Sequence, residues 1–333
     1  MSLIQSDQPE KWQQSLADLI TDPKELLDFL QLDSQLIKLG CVASAQFPLR
    51  VPRLFAERME KGNRHDPLLR QVWPDLAEQT LDPARSQDPL QEARFNPIPG
   101  LLHKYQGRVL LTATPNCAIH CRYCFRRHFD YKSNTPGREH WREALDYVAQ
   151  DSSINEVILS GGDPLVASDS YLKWLLSALD AIPHISSLRI HTRLPIVIPE
   201  RISHELRQFF NTLNSQLIIV VHCNHANELD NQVKSTLRML ARDGHLLLNQ
   251  SVLLREVNDD LASLVALSRA LFASRVLPYY LHLPDAVVGT GHFDVSEAEG
   301  MHLIEELQDS LPGYLVPTLV REEPGKPGKT RLA

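Results

Sequence analysis

The chain has 333 residues, of which 43% are hydrophobic and 23% charged. That composition is typical of globular proteins and excludes a wholly disordered, collagen-like or coiled-coil chain. The formal net charge of −7 argues against non-specific binding to nucleic acid or to an anionic membrane. No apolar run approaches the ~20 residues of a membrane span, and no basic segment leads into an apolar stretch after Met1. We therefore expect a cytoplasmic protein with neither nucleic acid nor membrane as a partner.

The first 95 residues predict a helical region followed by an irregular linker. Trp12, Leu16 and Leu19 have the spacing of the apolar stripe of an amphipathic helix. Residues 75–99 contain four prolines and many polar side chains, which favours an irregular connection. We place the boundary of this N-terminal region after residue 95.

Residues 96–333 predict a second unit in which short apolar runs alternate with helical stretches. Near-continuous apolar strands separated by helices indicate parallel βαβ units that are buried on both faces. Six such units favour an α/β fold with a parallel, partial (β/α)6 barrel, and a doubly wound sheet is the alternative. The six apolar runs are 108–114, 156–162, 187–193, 216–223, 245–254 and 277–283.

Polar side chains follow each of the six runs, at the strand ends where this architecture collects its ligands. Any one of them alone would be read as a turn residue or as a polar group satisfied within the fold. Six strand ends that all carry chemically useful groups predict a site. These groups are Cys117, Ser160 to Asp163, His191, Arg193, His222, Asn224, His225, Asn249 to Ser251, His282 and Asp285.

A C-x3-C-x2-C segment made by Cys117, Cys121 and Cys124 follows the first run. Three thiolates on one loop can hold three corners of a [4Fe–4S] cluster and leave the fourth iron open to a small molecule. Zinc, with His120 or His128 as a further ligand, is an alternative, as are three inert thiols. An odd count of five cysteines fits poorly with a disulfide framework. Cys41 and Cys223 are expected to pack as small hydrophobic residues.

Several motifs around this segment together resemble the lysine 2,3-aminomutase family of the radical S-adenosylmethionine superfamily. The resemblance runs from about Asp66 to Lys329, and the segment 51–72 resembles the bacterial members that supply β-lysine for elongation factor P. It implies a barrel of the radical S-adenosylmethionine type. The motifs are CRYCFRRHF, LSGGDPL, RIHTRLPIVIPERI, NHANE, NQSVLLREVND and PYYLHLPD.

The resemblance implies that S-adenosylmethionine binds the open iron through its amino and carboxylate groups. The cluster would then supply the electron that cleaves it, and the protein would supply orientation. The residues expected to face its amino group are Ser160, Gly161, Gly162 and Asp163, with His222 and Gln250 as further contacts.

The resemblance also implies pyridoxal phosphate, which would be held covalently by a lysine after a glycine-bearing tail segment. Lys329 matches that position, and Lys326 is a nearby rival. Tyr105 and Arg108 match contacts to the pyridoxal ring and phosphate, and arginine suits phosphate through its fork of donors. A surface arginine beside a turn is the alternative for Arg108.

For the substrate, the resemblance implies L-lysine. Arg126 matches the residue that binds the α-carboxylate, and Asp285 and Glu322 match the pair that holds the ε-ammonium. Glu322 departs from the aspartate that is usual at its position in mutases of free lysine.

The expected activity is that of an isomerase that converts L-α-lysine to β-lysine. The product would be transferred to elongation factor P by a separate lysine ligase, and a flavodoxin or ferredoxin would donate electrons. The alternatives are a free-lysine aminomutase of catabolism or osmolyte synthesis and a non-catalytic iron–sulfur or zinc protein.

Overall fold

The computed structural model describes residues 10–36, 45–134 and 141–333, so Cys41 lies outside the described residues. None of the described helices is both long and apolar enough to cross a membrane. The strands are β1 Leu19–Ile20, β2 Val51–Pro52, β3 Leu101–Tyr105, β4 Arg108–Thr114, β5 Glu156–Gly161, β6 Ser187–Thr192, β7 Gln216–His222, β8 Leu246–Val252, β9 Leu277–His282, β10 Thr318–Arg321 and β11 Thr330–Arg331. The described α-helices are α1 Lys11–Ala17, α2 Pro23–Leu30, α3 Arg53–Ala56, α4 Pro67–Arg70, α5 Tyr131–Asn134, α6 Trp141–Gln150, α7 Asp169–Asp180, α8 Leu194–Val197, α9 His204–Phe210, α10 Asn231–Arg242, α11 Leu261–Ala273 and α12 Glu297–Ser310.

The main sheet has its strands in the order in which they occur along the chain, from β3 at one edge to β11 at the other. Strands β4 to β10 are parallel, while β3 and β11 are antiparallel edge strands. A doubly wound sheet requires a reversal of strand order, and none occurs in the described sheet. The α/β fold with a partial parallel barrel is thus confirmed, and the six predicted runs correspond to β4 to β9.

Alternation along the strands separates a packed face from a cavity-lining face. In β6, Leu188 and Ile190 are fully buried in the main hydrophobic cluster, whereas Arg189 and His191 line a cavity. In the same way, Ile158 of β5 lines the cavity between two residues that pack in the cluster. One face of the sheet therefore packs against the helices, and the other carries the site.

Five helices that follow strands begin at a serine or aspartate side chain that accepts a backbone N–H. This pairing satisfies an otherwise unbonded group at the helix start and fixes where the preceding loop ends. The caps thereby fix the loops at the carboxyl ends of the strands, where the candidate site residues lie. The capping residues are Ser168, Ser203, Asp230, Asp260 and Ser296.

The N-terminal region packs on the barrel, because Trp12 and Phe55 belong to the same hydrophobic cluster as the strands. The predicted first helix ends earlier than its apolar stripe, at Ala17, and Leu19 instead pairs with Pro52 in a two-stranded ribbon. The pairing of β1 with β2 is a tertiary contact that helical periodicity does not encode. The boundary after residue 95 stays a prediction.

Candidate active site

A cavity of about 390 Å³ opens on the cavity-lining face of the sheet. Most of the residues expected to bind cofactors or substrate line it together, although they come from segments far apart in sequence. Cys117, Gly161, Gly162 and Asp163 lie outside its lining. The predicted residues that line it are Tyr105, Arg108, Cys121, Cys124, Arg126, Ser160, His222, Gln250, Asp285, Glu322 and Lys329.

The three clustered cysteines are free thiols that influence one another electrostatically. Burial raises the pKa of Cys117, and the neighbouring Cys124 and Cys121 raise it further. Burial and Cys121 raise the pKa of Cys124 to about 11. Thiols of this kind lose their protons when they bind metal.

In the described residues, no three His, Cys, Asp or Glu side chains converge on a point suited to a single metal ion. A [4Fe–4S] cluster binds each thiolate at a different iron, so its ligands need not converge on one point. Three mutually interacting free thiols at the end of β4 fit three corners of such a cluster.

The glycines after β5 permit a close approach between that strand end and the loop leading to the cysteines. A Cβ on Gly162 would lie 2.4 Å from the carbonyl oxygen of Asn116, and one on Gly161 would lie 2.9 Å from that of Thr114. Gly161 also has a φ of +107°, which L side chains rarely adopt. These glycines therefore set the position of the segment that begins at Cys117.

Replacing Gly162 with alanine is expected to destabilise the protein by about 1–3 kcal/mol, the usual cost of overpacking. The clash is with backbone atoms of Asn116, which cannot rotate away. Thermal unfolding measures the effect. Gly313→Ala is the control, because nothing lies within 4 Å of its added Cβ. Equal melting temperatures for the two variants would contradict this packing role.

Both carboxylate oxygens of Asp163 accept hydrogen bonds from within the protein. The carboxylate accepts hydrogen bonds from Thr192 Oγ1 at 2.6 Å and from the backbone N–H groups of Leu165, Arg193 and Leu194. Burial raises its pKa. The side chain of Asp163 thus holds the loop after β6, and any contact to S-adenosylmethionine would come from its backbone.

Arg126 is buried with part of its guanidinium still available. Its Nε and Nη2 donate to the two carboxylate oxygens of Glu92 at 2.8 and 2.6 Å, and its Nη1 donates to Ser160 Oγ at 3.2 Å. One N–H on Nη1 and one on Nη2 remain for a further acceptor such as a carboxylate. Glu92 therefore orients Arg126 without using up its donors.

The cavity lining also contains two carboxylates, Glu322 and Asp285, in different protonation states. Glu322 accepts from Lys104 Nζ at 2.8 Å, from Tyr105 Oη at 2.7 Å and from Lys329 Nζ at 2.5 Å. Burial alone would raise its pKa, but the Lys329 and Lys104 ammonium groups outweigh burial and hold it well below the ordinary value. Glu322 is therefore ionised and already paired.

Asp285 differs, because Lys104 and Lys329 both pair with Glu322 instead. Within the described ranges, no basic side chain forms an ion pair with Asp285. Burial and the neighbouring Glu322 carboxylate raise the pKa of Asp285 to about 7. The cavity thus contains a carboxyl group suited to a cation that the protein itself does not provide.

The residues expected at pyridoxal phosphate form one wall of the cavity. Lys329 Nζ lies 5.9 Å from the centre of the Tyr280 ring, and the Arg108 guanidinium lies 4.7 Å from the centre of the Tyr105 ring. No carboxylate of the described residues pairs with Arg108, so its charge is available to a phosphate. Lys326, in contrast, is exposed and absent from the lining. A primary amine, neighbouring aromatic rings and a guanidinium without a carboxylate partner among the described residues fit this cofactor.

Two buried nitrogen atoms in the cavity wall lack partners in the described structure, namely Gln250 Nε2 and His191 Nε2. An unpaired buried polar atom costs free energy, so such atoms indicate a bound group. Gln250 was an expected contact, whereas His191 was singled out only as a polar residue at a strand end. Burial and neighbouring Arg189 lower the pKa of His191 well below its ordinary value, so it is a neutral donor or acceptor.

His222 differs from this pair because both of its ring nitrogens have protein partners. Nε2 lies 2.7 Å from Tyr123 Oη, and the ring also bonds the backbone of Gln250. Burial and the Arg193 charge lower its pKa to about 3, so the ring is neutral. His222 therefore supports the wall beside the cysteines.

The sequence of the chain is similar to those of known proteins. Residues 111–214 match the family model described as Radical SAM superfamily. An Escherichia coli K12 protein named L-lysine 2,3-aminomutase is 51% identical over 97% of this chain and 94% of its own length. The chain belongs to the L-lysine 2,3-aminomutase family. A Haemophilus influenzae protein of the same name is 46% identical over 97% of this chain and 96% of its own length.

Among solved structures, Streptococcus suis SuiB bound to S-adenosylmethionine has a TM-score of 0.50 and 13% identity. The match covers 66% of this chain and 51% of that one, and it shows the fold alone. Membership of the L-lysine 2,3-aminomutase family makes the chain a radical S-adenosylmethionine isomerase. The family implies a [4Fe–4S] cluster, S-adenosylmethionine and pyridoxal phosphate, and the cavity residues described above fit all three.

Proposed function

We propose that this protein converts L-α-lysine to β-lysine in the cavity lined by Arg126 and Asp285. The observation that carries the proposal is that one cavity contains both a guanidinium with N–H groups to spare and a carboxyl group that has no ion-pair partner among the described residues. A free amino acid with a cationic side chain has the complementary charges at its two ends. About half of the residues that line the cavity are aromatic or aliphatic, and these can contact the methylene chain.

When bound, the cofactors supply a carbon-centred radical and a carrier for the migrating amino group. Cys117, Cys121 and Cys124 would hold the cluster, while Lys329, Tyr105, Arg108 and Gln250 would hold the organic cofactors. The protein's own contribution is to orient the substrate and to enclose it. Arg126, kept in place by Glu92, fixes the carboxylate, and the acidic end fixes the distal ammonium.

Glu322 would serve both the cofactor lysine and the substrate. Lys329 now uses Glu322 Oε2, whereas Lys104 and Tyr105 use Oε1. If Lys329 held the cofactor, its nitrogen would no longer be an ammonium, and Glu322 Oε2 would be available to the cation of the substrate. Lys104 and Tyr105 would keep the carboxylate in position throughout.

The deciding experiment uses protein reconstituted anaerobically with iron, sulfide and pyridoxal phosphate. It is incubated with L-lysine, S-adenosylmethionine and dithionite, and the amino acids are separated. Formation of β-lysine is expected. A protein that carries the cluster and pyridoxal phosphate and cleaves S-adenosylmethionine, yet forms no β-lysine, would contradict the proposal.

Asp285→Asn is expected to lower kcat/KM for lysine by about two to four orders of magnitude. Removing one partner of a desolvated charge pair costs about 3–5 kcal/mol, because the other charge stays unpaired. Iron content should not change. Asp309→Asn, on the exposed face of α12, is the control. Unchanged kinetics in both Asp285→Asn and Glu322→Gln would refute the assignment of the acidic end.

The same carboxyl group predicts a pH dependence. Because its pKa is raised to about 7, Asp285 is mostly neutral at pH 6 and mostly ionised at pH 8. Only the ionised form attracts the ε-ammonium, so KM for lysine should fall as pH rises through about 7. This slope should disappear in Asp285→Asn. Kinetics from pH 6 to 8 measure it, and an equal slope in the variant would assign it to another group.

We also propose that the β-lysine is supplied to elongation factor P in the cytoplasm, with a flavodoxin or ferredoxin as electron donor. The support is the resemblance of residues 51–72 to the members with that role. The test is the intact mass of elongation factor P from cells with and without the gene. A mass that does not depend on the gene would favour a role in catabolism or osmolyte synthesis.

A further inference from the structure

Arg193, the residue directly after β6, reaches one of the three clustered cysteines. Its Nη1 donates to Cys121 Sγ at 2.8 Å, and the residue is only 5% exposed. A guanidinium keeps its positive charge even when it is buried. A permanent charge therefore lies in hydrogen-bond contact with this sulfur.

Polar side chains from three other segments hold the guanidinium in place. Nη2 donates to Gln71 Oε1 at 2.6 Å and to Glu228 Oε2 at 2.9 Å, and Nη1 also donates to Tyr123 Oη at 2.9 Å. Asn224 bonds both Gln71 and Tyr123. Because these partners are buried, Arg193 has a fixed position before any cluster is bound.

We propose that Arg193 tunes the reduction potential of the cluster, raising it through its contact with Cys121. The inference rests on the proposed function, since it takes Cys121 as a cluster ligand. Reduction adds one electron to the cluster and moves the iron–sulfur core from 2+ to 1+. The electron comes from a low-potential one-electron donor, and no proton needs to move.

The direction of the effect follows from charge. Reduction adds a negative charge, which a nearby cation stabilises most strongly where water is excluded. Hydrogen bonds to the sulfur atoms are among the features that set cluster potentials. Arg193 provides both a cation and a hydrogen bond, so it makes reduction easier. It is a positioning residue that acts through the cysteine sulfur.

Glu228 has the opposite effect, which provides an internal check. Its side chain is fully buried and pairs with Nη2 of Arg193, whereas the sulfur contacts Nη1. It also accepts from the backbone N–H groups of Asn224 and His225, so its charge is fixed as well. Its negative charge partly cancels that of Arg193, and its removal should raise the potential.

The experiment compares the reconstituted protein with Arg193→Gln, Glu228→Gln and the double variant. Iron and sulfide content and the electron paramagnetic resonance signal of the reduced cluster are recorded first. Redox titration then gives each midpoint potential. Arg193→Gln should lower the equilibrium constant for reduction at least tenfold, a downward shift of about 59 mV. Glu228→Gln should shift the midpoint upward, and the double variant should return towards the parent.

Two further variants separate charge from structure. Arg193→Lys keeps the charge and should retain more of the potential than Arg193→Gln does. Arg207→Gln removes an arginine from a half-buried ion pair with Asp243, outside the cavity, and should leave the potential unchanged. Thermal unfolding of every variant reports structural damage independently of the potential.

An unchanged potential, or shifts of the same sign in Arg193→Gln and Glu228→Gln, would overturn the inference. If Arg193→Gln does not fold, the upward shift in Glu228→Gln decides, and its absence overturns the inference as well. Failure of the parent protein to bind iron and sulfide would instead overturn the proposed cluster site. The two failures are therefore distinguishable.

Discussion

Replacing Cys117, Cys121 or Cys124 with alanine is expected to abolish reductive cleavage of S-adenosylmethionine. Each thiolate would hold a separate iron, so no remaining ligand can replace a lost one. The three thiols lie close enough together for Cys121 to raise the pKa values of Cys117 and Cys124, as the proposal of a single centre requires. Iron and sulfide content and the yield of 5′-deoxyadenosine measure the effect, and both should fall to background.

Cys223→Ala is the matched control. This cysteine is also buried, but its Sγ donates to the carbonyl oxygen of His225 at 3.4 Å, and it lies outside the cavity lining. Its removal should cost some stability through a small cavity and leave cleavage intact. Stoichiometric zinc without iron in the anaerobically purified parent protein would refute the assignment of the three cysteines to an iron–sulfur cluster.

Replacing Lys329 with alanine is expected to remove bound pyridoxal phosphate and to abolish lysine turnover. The cluster should remain, because the cysteines and Lys329 lie on different segments and share no contact in the described residues. Lys329 lines the cavity and bonds Glu322, so its amine lies in the same cavity as Tyr105 and Arg108, the other residues expected at the cofactor. The visible absorption of the bound cofactor and the iron content give the two readouts.

Lys326→Ala provides the comparison within the same tail. Lys326 is exposed, and its loss should leave cofactor, cluster and turnover as they are. Borohydride reduction followed by peptide mapping should place the pyridoxyl group on Lys329. Finding it on Lys326 or on any other lysine would overturn the assignment.

The strands that carry the candidate site could be predicted because their buried residues form continuous apolar runs in the sequence. Val157 and Leu159 lie in a continuous apolar run, and both are fully buried in β5. The cysteine segment could be singled out because its three thiols are close together in sequence, and its role as a cluster site stays a prediction. Strand β3 was not predicted. Gly107, which lies between Tyr105 and Arg108, could have indicated the turn that connects β3 to β4. In the structure its φ is +75°.

The supporting polar residues could not be predicted in the same way. Gln71 and Glu92 come from irregular segments of the N-terminal region, and they meet Arg193 and Arg126 only in the folded chain. Hydrophobic periodicity says nothing about such residues, since a polar side chain in a loop is usually exposed. These residues differ from ordinary loop residues because their side chains are buried, and only the structure shows that burial.

The contact between Glu322 and the β3 residues Lys104 and Tyr105 has a consequence for biosynthesis. It joins opposite edges of the sheet and links residues 217 and 218 positions apart in sequence. A chain emerging from the ribosome folds from its N-terminus, so the cysteine segment and its supporting strands exist well before Glu322 and Lys329. The cysteine segment and its supporting strands can therefore fold together first, whereas the part of the cavity that contains Glu322 and Lys329 is completed only after those residues have been synthesised.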